Sequence, residues 1–136
     1  MGAVRVRVRL TNGGDEFLVR TGQLRSEDVR SYEGEALVDT GSVETLIPAQ
    51  VMNQLGLPPI GRVSVRYADG RAEVVHKTAP ITVYILDRDT TGEAFVLGDE
   101  ILIGQTILES MDLHVDCYNQ RVIPNPAHPD RPTFRV

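Results

Sequence analysis

The chain is poor in cysteine, aromatic residues and positive charge. Cys117 is its single cysteine, tryptophan is absent, and aromatic residues make up 5% of the 136 residues. One cysteine excludes an internal disulfide framework and fits a reducing compartment. No apolar run approaches the length of a membrane span. Fourteen Lys and Arg stand against 19 Asp and Glu, for a net charge of −5, which argues against a general nucleic-acid binder. The first residues alternate Val and Arg and lack the apolar centre of a secretory signal. The expected location is cytoplasmic, with neither nucleic acid nor membrane as a partner. No internal repeat and no low-complexity segment is present.

What the chain does have is ordinary for a globular protein: 41% hydrophobic and 24% charged residues, enough for one domain with a core. Val4, Val6, Val8 and Leu10 alternate with Arg5, Arg7 and Arg9, the signature of a half-buried strand with a solvated basic face. Asn12-Gly13-Gly14-Asp15 signals a turn. Phe17-Leu18-Val19 is a candidate short strand and Ser26-Glu27-Asp28 a candidate capped turn. Tyr32 to Val38 is a second strand. Thr45-Leu46-Ile47 is short and apolar, and a helix begins at Pro48, buries Val51, Met52 and Leu55, and stops at Gly56.

Val63 to Tyr67 and Ala72 to His76 form a hairpin around Ala68-Asp69-Gly70-Arg71. Further strands are expected at Ile81 to Leu86, Ala94 to Leu97 and Ile101 to Ile103, with a polar turn over Asp87 to Gly92. Gln105 to Met111 reads as a second short helix that buries Ile107, Leu108 and Met111. Leu113 to Cys117 and Arg121 to Ile123 make a last hairpin. Pro124, Pro126, Pro129 and Pro132 keep the tail extended, with room for sheet pairing only over Thr133 to Val136. The sum is a mainly β domain with two short helices.

One stretch organises the rest: Glu35-Ala36-Leu37-Val38-Asp39-Thr40-Gly41-Ser42. A buried apolar strand ends on an acid, and desolvating a carboxylate is costly unless it is paired or shared. Gly41 lets the chain turn tightly, and Thr40 can bond neighbouring backbone. Taken alone, Asp39 could equally be a strand-end residue in an Asx-turn. No second Asp-Thr/Ser-Gly occurs in the chain.

Asp39-Thr40-Gly41-Ser42, the short helix, the Gly-tipped hairpin and Ile101-Leu102-Ile103-Gly104 with its helix together resemble the retropepsin-like aspartic proteases, in particular the single-domain bacterial and retroviral members. The likeness covers about residues 32–123. It implies a single domain over 1–136, with 124–136 as a proline-rich tail. The implied fold is a closed β-barrel subunit with two short helices and a flap hairpin, one half of a homodimeric enzyme.

The implied activity is endopeptidase cleavage of a polypeptide, without metal or other cofactor. Cleavage by carboxylates needs two of them around one water. Two carboxyls about 3 Å apart cannot both ionise and so share a proton. A twofold axis would supply the second Asp39. The resemblance assigns Asp39, Thr40 and Gly41 to the catalytic loop and Ser42, Ala68, Asp69 and Gly70 to substrate binding. Ile103 and Gly104 would support the loop.

Two departures stand out. Retroviral members usually carry Arg after the second glycine, paired with an acid in the catalytic loop; here the residues are Gln105 and Val43-Glu44. The flap tip has one glycine where several are usual. The same fold used as an inactive dimerisation or peptide-binding module is therefore the alternative.

His76, His114 and His128 match no metal-ligand spacing and are expected to be exposed or satisfied. Cys117 is expected to be an inert thiol among apolar neighbours. Ser42 lacks the Gly-x-Ser-x-Gly context of a serine nucleophile.

Overall fold

The computed structural model describes residues 3–136; Met1 and Gly2 of the expected domain lie outside it. In chain order the elements are β1 (Val4–Asn12), α1 (Gly13–Arg20), a 3₁₀ turn (Ser26–Asp28), β2 (Ser31–Val38), β3 (Leu46–Ile47) and α2 (Ala49–Gln54). They continue with β4 (Pro59–Arg66), β5 (Ala72–Thr78), β6 (Ile81–Ile85), β7 (Arg88–Gly92), β8 (Phe95–Val96), β9 (Ile101–Ile103), α3 (Gln105–Ser110), β10 (Leu113–Asp116) and β11 (Arg121–Pro124). The fold is mainly β and retropepsin-like, as expected.

Nine strands form one sheet in the order β4-β5-β8-β3-β9-β2-β1-β6-β7, and β10 pairs with β11. The large sheet curls into a half-barrel, and its edge strands β4 and β7 are not hydrogen-bonded to each other. Alternation in β1 works as the sequence predicts: Val8 and Leu10 are buried while Arg5, Arg7 and Arg9 are exposed. The basic row is matched by acids, Arg5 by Glu100 at 3.1 Å and Arg7 by Glu33 at 3.6 Å. The core fills the curl with Leu10, Ile47, Leu55, Ile81, Ile85, Ile103, Leu108 and Met111, each at most 2% exposed. Burying one such side chain contributes about 1.5–3 kcal/mol.

Several expectations fail, the first of them because of a partner distant in sequence. The Asn12–Asp15 turn and the Phe17–Val19 strand are instead the helix α1. The Asn12 side chain caps it by accepting from the Asp15 N–H at 3.0 Å, and the buried Asp15 carboxylate takes both Arg30 Nε and Nη2 at 2.9 Å. That fork holds the Asp15 carboxyl below the usual carboxylate range. The 3₁₀ turn at Ser26–Asp28 forms without a side-chain cap.

The polar turn over Asp87–Gly92 shrinks to Leu86 and Asp87, and β7 begins at Arg88, paired with Ile85. Leu86 adopts φ +56°, a left-handed conformation that favours glycine, so the turn carries no sequence signal. Thr133–Val136 forms no strand. Cys117 is exposed rather than apolar-packed. His76 and His114 are exposed, and His128 has a partner in the tail.

That partner is Asp112. Its carboxylate accepts from Asn125 Nδ2 at 2.9 Å, His128 Nδ1 at 2.6 Å and the Thr133 N–H at 3.1 Å. Behind it, the buried Arg88 donates to the carbonyls of Met111, Asp112 and His128 at 3.2, 2.7 and 2.5 Å. The tail is thus fastened to β7 and to the end of α3. The Asn125 amide is the main reason the Asp112 carboxyl sits at about 2, with Thr133 and His128 helping against desolvation.

A carboxyl lowered on folding contributes stability above its unfolded value and loses it as pH falls through the folded value. Unfolding followed by circular dichroism should therefore show stability dropping between about pH 3.8 and about pH 2. Asp112→Asn should start less stable at neutral pH and lose less across that interval. An identical acid dependence in both proteins would contradict this account of the tail.

Candidate active site

Asp39 follows directly on β2, whose last residues pair in parallel with β9: Ala36 with Ile101, Leu37 with Leu102 and Val38 with Ile103. The next rung is the Asp39 N–H donating to the Ile103 carbonyl at 3.0 Å. β9 is flanked on its other side by β3, so the strand leaving the loop and the strand entering it both hang on β9. The loop 39–44 is fixed at both ends by backbone.

Within the loop, the Ser42 N–H donates to the Asp39 carbonyl at 3.1 Å and the Gly41 N–H to Asp39 Oδ1 at 2.9 Å. Ser42 Oγ donates to the Glu44 carbonyl at 3.0 Å. Asp39 therefore does sit in an Asx-type turn, with its second carboxylate oxygen free of partners among the described residues. Asp39, Thr40 and Gly41 are all exposed. Asp39 stands one step beyond the buried strand, at its exit into the loop, and is solvated in the isolated protomer.

The start of α3 closes on the loop from below. The Gln105 N–H donates to the Ser42 carbonyl at 2.8 Å and the Thr106 N–H to the Val43 carbonyl at 3.1 Å. Gly104 is buried between them, and a Cβ there would lie 2.4 Å from the Glu44 carbonyl oxygen and 2.8 Å from that of Ser42. Only glycine lets the two backbones meet so closely. The Gln105 side chain turns to Glu109 Oε1 at 3.0 Å. With no arginine at this position, α3 holds the loop through main-chain hydrogen bonds.

The β4–β5 hairpin runs alongside. Its residues pair regularly from Gly61 with Lys77 to Arg66 with Ala72, after a register shift between Pro59 and Gly61. Its tip is held by its own side chains. Asp69 accepts the Arg71 N–H at 3.0 Å and Arg71 Nε at 2.7 Å, and the Arg71 guanidinium lies 4.9 Å from the Tyr67 ring centre. Tyr67 donates to Glu73 at 2.7 Å. Gly70 adopts φ +90°, which a side chain would strain. Arg71 holds the Asp69 carboxyl below its usual range, and the bond to Glu73 raises the Tyr67 phenol.

Between loop and hairpin lies a cleft of about 520 Å³. Of the residues expected in the site, Asp39, Gly41, Ser42 and Ala68 bound it. Thr40, Asp69 and Gly70 do not line it, and Ile103 and Gly104 lie beneath the loop. Val65, Arg66 and Tyr67 line it from the hairpin expected as the flap, and Val43, Glu44, Leu46, Phe95 and Leu97 also line it without having been expected there. Short apolar runs are the sequence signal for Leu46, Phe95 and Leu97, and they do not say which strand curls over which loop. Among the described residues no group of His, Cys, Asp and Glu is arranged to hold a metal ion, and no helix is long and apolar enough to cross a membrane.

Chemically, the cleft offers a rigid carboxylate with one open oxygen, apolar walls, and a hairpin flank able to meet an extended chain. A family model described as aspartyl protease matches residues 28–107, and no curated protein matches the chain. The matched span takes in β2, the Asp39 loop, the hairpin, β9 and the start of α3. By that match the chain belongs to the aspartyl proteases of retropepsin-like type.

Proposed function

We propose that residues 1–136 act as one domain and that two copies form an aspartic endopeptidase, with the Asp39 carboxyls meeting across a twofold axis. The observation that carries this reading is the open Asp39 oxygen on a loop braced from both ends, at the edge of a cleft a peptide can enter. One carboxylate takes a proton from the water between the pair, while its protonated twin polarises the scissile carbonyl. Gly41 supports this by holding the other Asp39 oxygen.

Thr40, exposed and without a hydrogen bond among the described residues, is suited to bond across the axis. Hairpin backbone near Ala68 would add to an extended substrate as a further strand. Asp69 and Gly70 would shape the tip that carries it, and Ser42 would line the substrate side. Ile103 and Gly104 hold the loop in place. An exposed free Cys117 supports work in a reducing compartment, the cytoplasm.

The Gln105 side chain, bonded inside its own helix and away from the loop, favours a second reading: an inactive module of the same fold that dimerises or binds peptides. Incubation with unfolded casein across a wide pH range separates the two.

Asp39→Asn should lower cleavage by roughly a thousandfold or more while sedimentation still reports a dimer and circular dichroism the same fold. Retained cleavage by that variant would falsify the assignment. The wild-type rate should follow a bell-shaped or acid-limited pH profile, and a flat one would count against a shared proton. Gly104→Ala should cost roughly 3 kcal/mol in thermal unfolding by overpacking and depress cleavage with it; a neutral effect on both would remove Gly104 from the support of the loop.

A further inference from the structure

The cleft does not end at Glu44. A second cavity of about 340 Å³ shares Glu44 and Phe95 with it, so Glu44 stands on the partition between the two. The outer cavity also carries Lys77 and Glu93, which neutralise each other with Lys77 Nζ 3.5 Å from Glu93 Oε1. Glu44 is half-buried. Its carbonyl takes the Ser42 hydroxyl, but among the described residues no hydrogen bond or ion pair reaches its carboxylate.

Arg66, the cation that bounds the inner cleft, is turned to the Gly70 carbonyl at 3.3 Å. The outer cavity therefore holds one unmatched negative charge beside a neutralised pair. A carboxylate lining a cavity without a counter-charge favours a cation that brings its own N–H donors. A long basic side chain fits that requirement, because its apolar stem can run past Phe95 while its head reaches the carboxylate. Side chains of an extended peptide alternate in direction, so one residue can enter the outer cavity while its neighbours stay over the cleft.

We propose that Glu44 determines specificity: the cavity behind it takes a lysine or arginine side chain of an extended polypeptide lying in the Asp39 cleft. This deepens the proteolytic reading and rests on it for the nature of the occupant.

Binding and cleavage are measured separately, so that the two can fail separately. Labelled octapeptides carrying lysine, arginine, norleucine or glutamate at one scanned position are titrated by fluorescence anisotropy against the Asp39→Asn protein. At one position lysine and arginine should bind roughly tenfold more tightly than norleucine, with glutamate weakest. Adding Glu44→Gln should erase that preference while norleucine peptides bind as before and circular dichroism is unchanged. No preference for a basic residue, a preference that survives Glu44→Gln, or no binding of any peptide overturns the proposal. If the preference is present but the wild-type protein cuts none of these peptides, the pocket stands and the proteolytic reading falls. If the wild type cuts peptides with a profile that Glu44→Gln leaves unchanged, the proteolytic reading stands and the pocket falls.

Discussion

The parallel pairing of β2 with β9 is the constraint on which the rest of the site depends. Parallel neighbours cannot be joined by a tight turn, so the chain between Val38 and Ile101 must make a long excursion through other strands of the sheet before it returns beside β2. The loop, α2, the hairpin and the strands after it form that excursion. Its two ends are locked by the rung from the Asp39 N–H to the Ile103 carbonyl. A slip of one residue in this register would turn every side chain of β2 to the opposite face, taking Asp39 away from the cleft. Gly104 protects the register, since any side chain there would push against two loop carbonyls at once.

The brace under the loop is notable for lacking charge. Where an arginine–acid pair would be expected, two backbone N–H groups of α3 hold the carbonyls of Ser42 and Val43. Such bonds need no side-chain ordering, and each is worth about 1 kcal/mol net. Glu44, whose carboxylate has no hydrogen bond or ion pair among the described residues, is left facing two cavities.

The parts legible in the sequence were those whose reason lies within a few residues. Alternation exposed β1, Asp69-Gly70 marked the hairpin, and an acid closing an apolar strand located the loop. The parts that were hidden depend on distant partners. Gly13-Gly14 looks like a turn until Arg30 grips Asp15 and Asn12 caps the first turn. Leu86 turns the chain with a side chain that ordinarily avoids that conformation. Arg88 reads as a surface charge until the carbonyls of Met111, Asp112 and His128 gather around it. The lining of the cleft was hidden for the same reason: periodicity says which residues share a face, and only the curl of the sheet says what that face meets.

The clasp on Arg88 has a further consequence for the end of the chain. A guanidinium only 2% exposed must keep its oxygen partners, because an orphaned buried cation is strongly destabilising. One of those oxygens belongs to His128, well past the last strand. The segment beyond β11 thus delivers a carbonyl to a cation in the sheet, and trimming the chain before His128 would loosen β7 from a distance, although no residue of β7 had been touched.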